Sequence, residues 1–63
     1  MPLTLKKARL VSEKTQQEMA DAIGVHIDTY RKMEEKPERV TIENAKKIAN
    51  FLGLSVNEIF FVN

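Results

Sequence analysis

The chain has 63 residues, no cysteine and one histidine; hydrophobic residues make up 43% and charged residues 30% of it. That length is one small domain without disulfides, and a lone histidine cannot make a zinc site unaided, so stability has to come from packed helices. The net charge of +1 neither requires nor excludes a nucleic-acid partner. No apolar run approaches the roughly 20 residues of a membrane span. Leu3 to Val11 is interrupted by Lys6, Lys7 and Arg9, so no signal peptide is visible and a cytoplasmic protein is the expectation.

Taken in chain order, Thr4 is a candidate N-cap for a first helix running to about Ser12, with Leu5, Ala8 and either Leu10 or Val11 facing inward. Glu13 and Lys14 make a turn. Thr15-Gln16-Gln17-Glu18 is a capping box that opens a second helix, and Gly24 ends that helix. His26 is the cap or first residue of a third helix to about Glu35, which Pro37 stops. Lys36 to Val40 reads as a charged loop. Thr41 caps a fourth helix with Ile42, Ala45, Ile48, Ala49 and Leu52 on one face, and Gly53 ends it. Ser55-Val56-Asn57-Glu58 is a second capping box, opening a short fifth helix through Ile59 and Phe60. No stretch sustains period-two alternation, so the expected fold class is all-α, one domain over 1–63. The expected core is Leu5, Met19, Ile23, Val25, Tyr30, Met33, Ile42, Ala45, Ile48, Leu52, Leu54, Val56 and Ile59. An initial Met and a completed fifth helix favour a whole protein over a fragment, without deciding between them.

The stretch from Gln16 to Met33 organises the rest. Met19 and Ile23 share one helix face. Ala20 beside them lets a second helix cross closely, since two backbones cannot approach past a bulky side chain. Gly24 takes positive φ without penalty, Val25 plugs the turn, and Tyr30 and Met33 form the apolar stripe of the next helix. This is the spacing of a helix-turn-helix over 16–35. Charge is unevenly spread: residues 1–14 carry net +3, residues 15–23 net −2, and the remainder balances.

The chain resembles the Cro/repressor type of helix-turn-helix domain, the XRE family of phage repressors and small bacterial regulators. The resemblance rests on Arg9, Thr15-Gln16, Ala20, Gly24-Val25, Glu34, Ile48-Ala49, Leu52-Gly53, Ser55-Val56 and Ile59-Phe60, and covers about Leu5 to Phe60. It implies a lambda-repressor-like fold of five short helices. It also implies double-stranded DNA as partner, the third helix in the major groove, and a homodimer on a pseudo-palindromic operator. Gln16 matches a glutamine that holds a phosphate at a helix N-terminus, where free N–H groups attract anions. His26, Ile27, Asp28 and Lys32 match positions that meet base edges; Thr29 and Arg31 match positions near phosphates. Arg9 and Glu34 match an ion pair tying the first helix to the end of the third. Helix geometry agrees in part: with Tyr30 and Met33 inward, Asp28 points nearly opposite, and Glu34 sits beside the buried stripe, where its charge needs a partner.

Several positions depart from the family pattern. Glu13 and Lys14 replace a Gly and an apolar residue, Lys36 and Pro37 replace a Gly, and Ile27 and Asp28 replace common Arg, Gln or Ser. Each has a plain reading beside the functional one. Asp28 either accepts from cytosine N4 or pairs with Lys32 and favours the helix N-terminus. His26 is a cap or a reader; Ile27 packs on a thymine methyl or on the core. Lys36 and Arg39 grip phosphate or are a solvated loop. Phe61 and Val62 are too apolar for an idle tail and are candidate dimer contacts. The expected function is a transcriptional repressor; the alternative is a protein-interaction module on the same fold, an antitoxin-like or antirepressor partner. An enzyme is not expected: there is no nucleophile–base set, metal cluster, phosphate loop, cofactor motif or evident small-molecule site.

Overall fold

The computed structural model describes residues 4–60. The chain is all-helical over those residues: α1 Leu5–Val11, α2 Gln16–Ile23, α3 Ile27–Glu35, a 3-10 turn Pro37–Arg39, α4 Ile42–Leu52 and α5 Val56–Ile59. None of these helices is long and apolar enough to cross a membrane.

Each α-helix starts on a side chain that satisfies a backbone N–H left over at its N-terminus. The hydroxyls of Thr4 and Thr41 accept from Lys7 and Asn44 N–H. Thr15–Glu18 and Ser55–Glu58 form complete capping boxes. His26 caps α3 through Nδ1, which accepts from Asp28 N–H at 3.1 Å.

Three helices end in the same turn. In each, a left-handed residue follows the last turn, directly after α2 and α4 and one residue on, past Ser12, after α1. The next N–H returns to a carbonyl five residues back: Lys14 to Arg9, Val25 to Ala20, Leu54 to Ala49. Gly24 (φ 74°) and Gly53 (φ 72°) fill two of these positions. In the third, Glu13 holds φ 58°. The expected turn thus forms where the family has glycine, but with a side chain strained into it. Lys14, at the family's apolar position, is half-buried and lays its ammonium 5.2 Å from the centroid of the Phe51 ring.

One core joins all five helices: Leu5 and Ala8, Met19, Ala20 and Ile23, Tyr30, Ile48 and Ala49, and Ile59. Four of the buried side chains are alanines (Ala8, Ala20, Ala45, Ala49), which lets these short helices approach closely. Val25, Ile27, Met33, Leu52, Leu54, Val56 and Phe60 pack around this centre, half-buried.

Two expectations about the core fail. Ile42 is 55% exposed, because it lies in the first turn of α4, ahead of the Ala45–Ile48–Ala49 stripe. Leu10 and Val11 are both exposed. The inward face of α1 runs from Leu5 through Ala8 to Arg9, at helical spacing, so a buried arginine holds the place an apolar residue was expected to take. The segment after α3, expected as loop, tightens into a 3-10 turn, with Arg39 and Val40 N–H bonded to Lys36 and Pro37 carbonyls.

Candidate nucleic-acid interface

α2 and α3 pack on each other across Gly24. Val25 follows Gly24 half-buried and aims the chain into α3, whose Tyr30 is fully buried. The opposite side of α3 is open: His26, Asp28, Thr29, Arg31, Lys32, Glu35 and Lys36 are all exposed.

A polar network sets the angle between these helices. Glu34, near the end of α3, accepts from Arg9 Nε at 2.6 Å, from Tyr30 Oη at 2.7 Å and from Gln16 Nε2 at 3.1 Å. Arg9 also donates to the Lys14 carbonyl at 3.0 Å. One carboxylate therefore binds α1, α2 and the body of α3. The expected Arg9–Glu34 pair forms, with side chains 9% and 7% exposed. Burial pushes the Glu34 carboxyl up, but hydrogen bonds from Arg9, Tyr30 and Gln16, with the Arg9 charge, outweigh it and leave it below the ordinary value. The bond to Glu34 chiefly holds Arg9 above its own. Burial, with the neighbouring Glu34, drives the Tyr30 hydroxyl far up, so it stays a donor.

Sequence reasoning placed Tyr30 in the core but missed its hydroxyl, and it missed the Gln16 amide on Glu34. The four-residue step from Tyr30 to Glu34 was the available signal.

The network reaches the surface. Gln16 Oε1 accepts from Arg31 Nε at 3.3 Å, and Arg31 Nη1 donates to Asp28 Oδ1 at 3.3 Å. Asp28 pairs with Arg31, three residues on, rather than with Lys32, because Arg31 is held on that side by Gln16. His26 Nδ1 lies 3.7 Å from Asp28 Oδ2, but as the cap it is an acceptor, so no ion pair exists in that state. Ile27 packs half-buried against the core.

Thr29, Lys32, Lys36 and Arg39 come together on another flank, where with Met33 and Glu35 they line an open groove of about 420 Å³. The structure thus groups the expected residues as a Gln16–Arg31–Asp28–His26 string and a Thr29–Lys32–Lys36–Arg39 cluster. Phe61 and Val62 lie outside the described residues. Among the described residues no three His, Asp or Glu side chains converge on a metal position. The arrangement offers exposed donors and charges on a rigid frame, which suits recognition.

Comparison with known proteins bears on this arrangement. The cryptic phage CTXphi transcriptional repressor RstR of Vibrio cholerae serotype O1 is 40% identical over 55 residues, 87% of this chain and 49% of that protein. The chain therefore spans only about half the length of that curated relative. No solved structure matches. A family described as helix-turn-helix matches residues 5–59, from the start of α1 to the end of α5. The chain belongs to this helix-turn-helix family, the Cro/repressor or XRE type.

Proposed function

We propose that this chain is a sequence-specific DNA-binding regulator of transcription, a repressor, acting as a homodimer on a pseudo-palindromic operator. The observation that carries the reading is the exposed polar face of α3, held by Glu34 against α1 and α2 on a buried frame. The family and the repressor named among its relatives support it. In this reading α3 enters the major groove, with His26, Asp28 and Lys32 at base edges and the outer part of Ile27 beside them. Gln16 and the first turn of α2, with Thr29, Arg31, Lys36 and Arg39, face phosphates. Two copies read half-sites about 34 Å apart, and an occupied promoter excludes polymerase.

Selection of bound duplexes from a random-sequence pool, titrated at two salt concentrations, tests the reading. The expected result is a palindromic motif with half-sites about one helical turn apart and an affinity that falls steeply with salt. Lys32→Ala, at an exposed side chain, weakens binding about fivefold to hundredfold while the melting temperature stays. No enrichment and no salt-sensitive binding would replace the reading with a protein-interaction module on the same fold.

A further inference from the structure

Asp28 is a carboxylate on the face of α3 that, in the reading above, meets a polyanion. It repels every sequence equally, and it can accept hydrogen bonds but not donate them. In the major groove cytosine N4 offers a donor; adenine N6 does too, but with the N7 acceptor beside it, which a carboxylate opposes. Asp28 already has a partner, Arg31 Nη1 at 3.3 Å. Arg31 is held in turn by Gln16, the first residue of α2, where the Gln16 and Gln17 N–H groups have no intrahelical acceptor. The Arg31 guanidinium therefore stands between an acidic reader and the anion-attracting end of a helix, with side chains 56% and 66% exposed for Arg31 and Asp28.

We propose that Asp28 and Arg31 form a specificity-determining latch, an inference that rests on the DNA-binding reading. On a duplex without a cytosine amino group opposite Asp28, the carboxylate keeps Arg31, and one phosphate contact is withheld. Where cytosine N4 is presented, the Asp28 carboxylate accepts from it, and Arg31 turns to the phosphate beside the first turn of α2. A contact that normally carries no sequence information becomes conditional on one base pair. Gln16 is the positioning residue: its Oε1 keeps Arg31 within reach of both the carboxylate and the phosphate.

The test is a double-mutant cycle on the whole chain, with wild type, Asp28→Ala, Arg31→Ala and the double variant titrated against random-sequence duplex over a range of salt. Both side chains are exposed, and thermal melts check that all four fold. Asp28→Ala strengthens random-duplex binding about threefold to tenfold and steepens the salt dependence by about one phosphate contact. In the Arg31→Ala background the gain falls below half of that and the salt dependence does not change. Equal gains in both backgrounds overturn the latch and leave simple repulsion, with DNA binding intact. A folded wild type that binds no duplex at any salt overturns the underlying reading, and the latch with it.

Discussion

Arg9 and Glu34 are 25 residues apart in sequence and meet at 2.6 Å, with less than a tenth of either side chain exposed. The pair is built in the place of two core residues: Arg9 lies on the inward face of α1, and Glu34 beside Tyr30 on α3. Neither charge has water to fall back on, so each depends on the other. Removing one partner of such a pair leaves a buried charge uncompensated, at about 3–5 kcal/mol. Arg9→Met and Glu34→Leu are therefore each expected to lower stability by about 3–5 kcal/mol, read from the urea midpoint by circular dichroism. The double variant recovers part of that loss: no charge is stranded, but the buried Tyr30 hydroxyl and the Gln16 amide still lose their acceptor. Single variants that lose under about 1 kcal/mol would show that Glu34 is satisfied without Arg9.

Glu34 makes stability depend on acid. Its folded pKa lies below the ordinary 4.5 of the unfolded chain. The folded state therefore binds fewer protons than the unfolded state between those two values. Its contribution is fully present above the ordinary value and is lost as pH falls through the folded one. Glu18, held low first by the Thr15 N–H, acts in the same direction. The urea midpoint is expected to be level from about pH 6 to 5 and to fall below about pH 4.5. Glu34→Gln, less stable throughout, shows a flatter acid limb; an unchanged limb would assign the acid loss to other carboxylates.

The strained turn after α1 predicts a gain. Glu13 sits at φ 58°, the conformation glycine takes in the two matching turns. A non-glycine residue there costs about 1–2 kcal/mol, of which glycine's extra freedom in the unfolded chain returns part. Glu13→Gly should raise stability by about 0.5–1 kcal/mol, roughly 3–6 °C in Tm. Gly24→Ala should lower it. A Cβ at Gly24 would meet nothing within 4 Å, so that loss measures backbone strain alone.

Along α4, two isoleucines should behave oppositely. Ile48 is fully buried and Ile42 is 55% exposed. Ile48→Ala is expected to cost about 2–5 kcal/mol. Ile42→Lys should fall within about 0.5 kcal/mol of wild type by the same denaturation curves. A large loss at Ile42 would mean that something covers the start of α4 in solution.

Much of this molecule is local information. Thr4, Thr15, Thr41 and Ser55 open helices, and Gly24 and Gly53 close them, because caps and left-handed turns act within four or five residues. The inward stripes of α2 and α4 follow from helical spacing alone. That is why the all-helical class and the turn at Gly24 are legible in the sequence. The position of α3 was legible for the same reason, and with it which of its residues stand exposed.

Helix starts and stops are thus local properties, and so are the buried faces of α2 and α3; the buried face of α1 and burial at the start of α4 are not. The tertiary structure decided which distant groups meet. Ile42 has helical spacing but no neighbour to cover it, and Arg9 occupies an inward position because Glu34 is there to receive it. Gln16 is tied to Glu34 and Arg31, and Asp28 pairs with Arg31 rather than Lys32, because α2 lies beside α3 and claims one side of that guanidinium. Spacing along one helix cannot report such choices: they depend on how three helices cross, and hydrogen bonds form only among groups that the crossing brings within about 3 Å.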